Sequence, residues 1–559
     1  PLHPNSNGGT DHFAIASILD LYDPDRSRDY RHDGNVVSVE DFGAFLGEKK
    51  KEFAASGGKG LAILHGASTS PTRSRLLAEL KEKHPEAASY EYESADRAGL
   101  DEATEALFGA GMRQRYRFDK ADRILSIGSD FLGTDLLADN GIGDFSQGRK
   151  IEGDDKAEAM NRLYVLEHQY TITGGMADHR LPVKASDSLA AAAAIAAAVA
   201  KLTNDSALAD LAAAAPAKDV LPAEWVDAVA KDLHEHRGKG VVVAGSRLEH
   251  GVHALVAGIN NALNNFGANK AVDLVDASTS TSGSIEELAK AIGAGEVTTL
   301  VITADSDPVY SAPADLKFAQ ALGKVETLIH VGARDHCATA RAANWHVPGA
   351  HFLESWGDVR GSDGTYSVVQ PMIAPLFDGI SEIAFLAGLL AEPAAEGETA
   401  EGGAEAAALA AVKETFQGIA DAAGAEPAKA WNTSLRNGFL KDSAYASASG
   451  AFDAAKAKTL LESAKAGGDG FEVVFTIDNK VWDGRYINNG WLQELPDPIT
   501  SLVWDNAALV SRATLRELGL SDKEMLIEYE SRLLMVTVGG QVGYFPIIPA
   551  PGHASGSVS

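Results

Sequence analysis

Cysteine is almost missing from this sequence: Cys337 stands alone in 559 residues. One thiol forms no disulfide within the chain and cannot hold an iron–sulfur cluster, which takes about four thiolates. No Cys-x-x-Cys-His occurs, so covalent haem attachment is excluded as well. Basic charge is also short. Asp and Glu number 78 against 49 Lys and Arg, a net charge of −29. That field repels phosphate backbones and excludes nucleic acid as a partner, while a single anionic cofactor held by local dipoles stays admissible. Long apolar runs are lacking: the most apolar stretch, Leu189–Ala200, falls short of the roughly 20 residues that span a bilayer. It reads as a soluble helix capped by Ser186 or Asp187. No Gly-x-Gly-x-x-Gly follows a strand, and neither a phosphate-loop Gly-Lys-Ser/Thr nor a Gly-x-Ser-x-Gly elbow is present. The chain opens on PLHPN without Met and closes on HASGSVS, which reads as a processed product or a fragment.

What is there is an alternation. GLAILHGAS (60–68), DRILSIGSD (122–130), RLYVLEH (162–168), GVVVAGSR (240–247), TTLVITADSDPV and VETLIHVGARD are continuous apolar runs, each closed by a Gly/Ser/Asp turn before a helical pattern. Strands of this kind predict a mostly parallel sheet covered on both faces, with ligands bound beyond the strand carboxyl ends. From Leu389 to Glu414 the texture shifts to Ala, Glu and Gly, a solvated linker in its first half and a helix in its second. FEVVFTIDNKVW and EMLIEYESRLLMVTVGGQVGYFPIIPAPG then predict a small closed β domain. The expected plan is a discontinuous α/β domain over 1–118 and 239–377, an inserted α/β domain over 119–238, linker and helices over 378–470, and a C-terminal β-barrel over 471–559.

The candidate chemistry is sparse. His330, His336, Cys337, His346 and His351 crowd one stretch, but their spacing matches no zinc pattern, and they read as a strand end, a helix and a second strand. His250 and His253 sit a helical turn apart and read as helix-surface residues. Cys337 next to His336 is no dyad, and Asp305 and Asp307 before a proline read as turn formers. No catalytic residue and no metal ligand is expected. The most suggestive segment is YTITGGMADHRLPV (170–183), where hydroxyls, a Gly-Gly break and an arginine follow a buried strand in the manner of a phosphate turn.

Several segments, in order, resemble the molybdopterin oxidoreductase superfamily of the dimethyl-sulfoxide reductase type: ADRILSIGSDFLG, RLYVLEHQYTITGGMADHRLPVKASDSLAAAAA, CATARAANWHVPGAHFLESWGDVRGSDGTYSVVQPMIAPLFDG, and NNGWLQELPDPITSLVWDNAALVSRATLRELGL with PAPGHASGSV. Within it PLHPNSNGGTDHFAIASILDLYDPDRS, HFLESWGDVRGSDGTYSVVQPMIAP and WLQELPDPIT resemble the iron–sulfur B subunits of alternative complex III, the quinol:cytochrome c oxidoreductases. The likeness implies a multi-domain α/β architecture with a C-terminal dinucleotide-domain-like barrel. It implies vestigial cofactor positions at Ser129, Asp130, Thr171, Thr173, Gly174, Arg180, Gly245 and Arg247.

The superfamily's cysteine cluster and molybdenum-ligating cysteine have no counterpart here, and 108–119 is short for its active-site loop. The resemblance therefore implies a cofactor-free scaffold of a respiratory complex on the periplasmic face of the cytoplasmic membrane. Its partners would be a ferredoxin-like iron–sulfur domain, expected on a continuation past Ser559, and membrane and cytochrome subunits. Trp491, Leu492, Leu495, Pro496 and Pro498 are an apolar anchor for that domain or a seal within the fold. Two alternatives stand beside it. The first is an active molybdenum or tungsten enzyme carrying molybdopterin guanine dinucleotide, with Ser68, Ser70 or Ser74 as metal ligand. The second is a binding module for another dinucleotide.

Overall fold

The structure is a computed structural model that describes residues 3–135, 140–151, 153, 160–277, 282–392, 403–464, 470–520 and 532–559. The chain divides into two compact units. One comprises Pro1–Ala95, Thr279–Ala444 and Val481–Gln493; the other comprises Asp96–Ser278, Tyr445–Lys480 and Glu494–Ser559.

The first unit is built on an eight-stranded sheet in the order Gly283–Ser284, Ala88–Glu91, Leu61–His65, Thr299–Ile302, Thr327–Gly332, Trp345–Pro348, Tyr30–His32 and Asn35–Val37. The first six strands run parallel, and the last two join antiparallel. Alternation along each strand sends neighbours to opposite cores. Leu61, Ile63, Val301, Ile329 and Val331 meet Phe42, Phe53, Leu76 and Leu80 and the helices Glu382–Leu390 and Gly403–Ala422. Ala62, Leu64, Leu300, Ile302 and Leu328 meet Ile285, Leu288, Ile292 and Phe318 on the other face. Burial on both faces explains why these strands read as continuous apolar runs.

The second unit repeats the design on four parallel strands, ordered His179–Pro182, Arg162–Glu167, Arg123–Ile127 and Gly240–Ala244. One core gathers Leu125, Ile127, Tyr164, Leu166, Val242 and Ala244 against the helices Ser188–Thr203, Ala223–Glu235, His250–Ala262 and Ala454–Ser463. The other gathers Ile124, Leu163, Val165, Val241 and Val243 with Phe118, Phe131 and Phe145. Ala185–Thr203 is long and apolar enough to cross a membrane by length and composition alone. Ala191, Ala192, Ile195, Ala196 and Val199 along it are wholly buried in this core, which marks it as the central helix of the unit. Asp187 is its N-cap but makes no cap hydrogen bond; its carboxylate accepts from Lys218 instead.

A curled five-stranded sheet, ordered Glu472–Val473, Ser557–Val558, Ala508–Val510, Gln541–Pro549 and Leu533–Val538, forms the C-terminal β portion of this unit. Its small core holds Ala508, Val510, Leu515 and Val558. The hairpin of the last two strands is apolar on both sides. Leu534 and Phe545 pack on that core, while Leu533, Met535, Val542 and Tyr544 are exposed.

The boundaries expected at 118/119 and 238/239 both fall inside Asp96–Ser278. Gly240–Ala244, assigned from sequence to the outer domain, pairs along its whole length with Arg123–Ile127. Within 378–470, residues to Ala444 go with the first unit and those from Tyr445 with the second. The expected linker falls largely on 393–402, outside the described residues, and the helix expected after it is Gly403–Ala422.

Strand ends of the second unit meet backbone to backbone. A methyl group at Gly245 would lie inside the van der Waals surface of the Gly128 carbonyl, and main chain cannot swing aside. Gly245→Ala is therefore expected to cost about 1–3 kcal/mol, the usual range for overpacking, read as a lower denaturant midpoint with unchanged slope.

Candidate functional site

In the second unit the expected ligand positions cluster at the carboxyl ends of Arg123–Ile127, Arg162–Glu167 and Gly240–Ala244, and most of their polar groups, though not the buried Ser129 hydroxyl, have a partner from this chain. Thr171 ends the turn after its strand by capping Ile172–Gly175: its hydroxyl accepts from the Gly174 N–H at 3.0 Å and donates to Glu167 at 2.6 Å. Glu167 also accepts from the Thr171 N–H at 3.3 Å and from Nε of Arg180 at 2.5 Å. The same guanidinium donates to the carbonyls of Gly552 and Gln169 and lies 4.7 Å from the centroid of the Tyr170 ring. Glu167 is 3% exposed. Burial raises its carboxyl pKa, opposed by the charge of Arg180 and the Thr171 hydroxyl.

Asp130 plays the same role on the adjacent strand. Its Oδ1 accepts from the N–H of Thr173 at 2.9 Å and from its hydroxyl at 2.8 Å. The Thr173 hydroxyl in turn accepts from the Leu132 N–H at 3.0 Å. Thr173 is wholly buried: it is a tie between two strand-end loops, where the sequence suggested an accessible phosphate-turn hydroxyl. Ser129 is buried with its N–H and carbonyl both bonded to the Ser126 hydroxyl. After Gly245, the Ser246 N–H points at both oxygens of Asp135 at 3.3 Å. Arg247 donates to the Phe475 carbonyl at 3.0 Å, and desolvation lowers its pKa. Gly174 has no room for a side chain, because a Cβ there would strike the Glu167 carboxylate.

The structure thus brings together Asp130, Thr171, Thr173, Gly174 and Arg180, but around two carboxylates of the chain itself. These residues do not fit a bound diphosphate, because the donors that would hold it are already engaged. Glu167 and Asp135 were missed in the sequence. The trace left by Glu167 is a single acid closing the apolar run RLYVLE, four residues before a Thr-rich turn.

The first unit shows the same arrangement where a serine ligand was considered. Ser70 caps the helix Pro71–Lys83, and its hydroxyl donates to Asp358. Asp358 also accepts from the Thr72 N–H at 3.2 Å, the Thr72 hydroxyl at 2.5 Å and the Tyr366 hydroxyl at 2.9 Å. Ser74 donates to the Ser70 carbonyl, and Ser68 accepts from the Ser70 N–H. Farther along the sheet, Asp307 accepts from the N–H groups of Ala338 and Thr339 and from the Thr339 hydroxyl at 2.6 Å. The turn role expected of it is realised as a cap on Ala338–Ala342. Cys337 caps the same helix, and burial pushes its thiol up to about 11, away from the reactive thiolate.

The histidines do not converge. Among the described residues no group of three or more His, Cys, Asp or Glu is arranged to hold a metal ion. His346 bonds the Ser27 hydroxyl at 2.6 Å and Nδ1 of His330 at 2.9 Å. Burial holds His330 at about 3 and His346 at about 4, so the pair is neutral. His351 accepts from the Leu353 N–H beside the buried Arg26–Glu354 ion pair. His250 lies 3.2 Å from Glu102.

His253, expected on the helix surface, is 2% exposed, and neither ring nitrogen has a hydrogen-bond partner. Burial depresses its pKa from 6.5 to about 4. The folded protein then keeps a neutral ring while the unfolded chain takes up a proton below 6.5, so this site costs stability as pH falls from 6.5 towards 4. His253→Leu is expected to stabilise the protein by about 1–3 kcal/mol near neutrality, the cost of an unpaired buried polar group. The gain should widen by up to about 1.4 kcal/mol per pH unit below 6.5. Denaturant unfolding of both proteins at about pH 7.5 and about pH 5.5 measures it; an equal gain at both refutes the assignment.

No protein-family model matches the sequence, and no curated protein sequence matches it. Among solved structures, acetylene hydratase from Pelobacter acetylenicus superposes with a TM-score of 0.67 at 13% identity, over 100% of this chain and 88% of that one. With parallel sheets covered by helices and a curled C-terminal sheet, the chain shares the multi-domain α/β fold of that hydratase.

Proposed function

We propose that this chain is the cofactor-free, molybdopterin-type scaffold of a respiratory quinol:cytochrome c oxidoreductase of the alternative complex III kind. It serves electron transfer by holding other components in place. Its partners are a ferredoxin-like iron–sulfur domain and membrane and cytochrome subunits, at the periplasmic face of the cytoplasmic membrane. The observation that carries the reading is the capture of Ser70. Of the three serines open to a ligand role it is the buried one, and its hydroxyl, with both donors of Thr72, is given to Asp358. Breaking that set to free an alkoxide for a metal would strand a buried carboxylate. The lone thiol is equally committed, as a helix cap held protonated. The sequence likeness quoted above supports the respiratory assignment, and the fold supports the scaffold.

Metal and pterin analysis of the purified protein tests this reading. Molybdenum, tungsten and pterin are expected well below one equivalent, and about one equivalent of either metal overturns it. Electron paramagnetic resonance supplies the second check. The chain alone is expected to be silent after reduction, because one cysteine cannot ligate a cluster, while the complex shows iron–sulfur signals. Cluster signals from the chain alone would sink the scaffold reading.

A further inference from the structure

The helix His12–Leu21 in the first unit has its polarity turned inside out. A surface helix ordinarily sends its charges to solvent and its apolar residues to the core. Here Asp20 is the one Asp, Glu, Lys or Arg of HFAIASILDL, and it points inward. It accepts from the Asn489 side chain at 3.1 Å and lies 3.6 Å from the Arg334 guanidinium. Ile15, Ile18 and Tyr22, the residue that ends the helix, are 61%, 47% and 64% exposed. Spacings of three and four residues put them on one face, as a single apolar stripe. Ala16, Ser17 and Leu21 are buried on the other side. There Asn489 also donates to the Ala16 carbonyl at 2.9 Å, and Phe13 stacks on Tyr486.

More exposed apolar surface of the same unit borders the stripe. Asn489 fastens the helix, and Asn488 donates to Asp23 just past its end at 2.6 Å. Ile487 and Trp491, on either side of these two asparagines, are both exposed. The charge around the stripe is acidic. Asp11 and Asp25 are exposed at its two ends, with Asp29 beyond. The exposed cation of this stretch, Arg28, is seated 4.8 Å from the centroid of the Phe377 ring. No Lys or Arg occurs in residues 1–25, whereas helices that lie on lipid carry Lys and Arg beside their apolar face. A second copy of this chain would bring the same acids, and its own charge of −29, against its like.

The geometry points to this stripe as a docking surface for a helix of another polypeptide, apolar along one face and flanked there by Lys or Arg. Its apolar face covers Ile15, Ile18 and Tyr22, and its cations meet Asp11 and Asp25 at the ends of about 15 Å of helix. Recognition through residues spaced three and four apart along one helix face is a recurring mode of peptide binding. The surface belongs to the chain whether or not its crevices hold a cofactor. The proposal therefore goes beyond the scaffold reading and does not depend on metal or pterin content.

Fluorescence anisotropy of labelled synthetic peptides with the full chain tests this. The probe is a Leu/Lys helix of about five turns with all its Leu on one face. Its controls are the same residues scrambled so that no apolar face forms, and a Leu/Glu helix of the same pattern. The faced Leu/Lys peptide is expected to bind at least about tenfold tighter than either control. Ile15→Ser/Ile18→Ser, which removes apolar surface and no charge, is expected to weaken it at least about tenfold at an unchanged thermal midpoint. Leu533→Ser/Met535→Ser, on the exposed C-terminal hairpin, is expected to leave binding unchanged. Should Ile15→Ser/Ile18→Ser fail to fold, Tyr22→Ser takes its place. Equal binding of the faced and scrambled peptides overturns the proposal, as does equal binding of the faced peptide to wild type and to the folded stripe variant. Flotation of wild type with neutral or anionic vesicles, lost in the stripe variant, overturns it in favour of lipid. A dimer in sedimentation that the stripe variant loses overturns it in favour of a second copy.

Discussion

The constraint on which the rest depends is that buried donors at strand ends must be answered, and in this protein they are answered by its own carboxylates. Parallel sheets leave N–H groups and hydroxyls converging beyond their carboxyl edges, where a ligand usually completes them. Here Asp358 takes the turn before Pro71–Lys83, Asp307 the turn before Ala338–Ala342, Asp130 and Glu167 the two sides of Thr171–Gly174, and Asp135 the Ser246 N–H. Each carboxylate accepts what it faces, so each loop is locked by a charge-assisted bond of the stronger class. Loops locked in this way are held by the chain's own side chains.

That solution explains some of the acid-rich composition. Carboxylates drawn inward need cations or donors near them, and arginines are placed accordingly: Arg180 on Glu167, Arg26 on Glu354, Arg123 on Asp232. Arginines engaged in this way project little anion-attracting field, and the net charge of −29 adds to that. The histidines obey the same economy from the other side. His330, His346 and His253 are buried neutral, and their nitrogens serve packing and short relays to Ser27 instead of metal.

The strands were legible because burial on both faces writes them as unbroken apolar runs. RLYVLE, GVVVA and TLIHVG stand in the structure within a residue or two of where they were read. The domain plan was less legible, because nothing local in Gly240–Ala244 records that its partner is Arg123–Ile127. The candidate site was legible by half. Thr171, Thr173, Gly174 and Arg180 were visible as a turn, but the carboxylates that fill it come from strand ends and loops. The group that claims Ser70 lies 288 residues away, a pairing only the fold can make. His253 misled for a related reason: a helical spacing of His250 and His253 says they share a side, and not whether that side faces solvent.

The C-terminal hairpin carries one consequence into solution behaviour. Leu533–Val538 is the last strand of its sheet and shows Leu533 and Met535 to solvent beside Val542 and Tyr544. An apolar edge of this kind is a template for another strand, including one from a second copy. What keeps copies apart is the long-range repulsion of like-charged molecules, and salt cuts its reach from about 30 Å at 0.01 M to about 8 Å near physiological strength. Ionic strength is therefore expected to set how readily hairpin edges of isolated chains meet: low salt opposes their approach, and concentrated salt allows it.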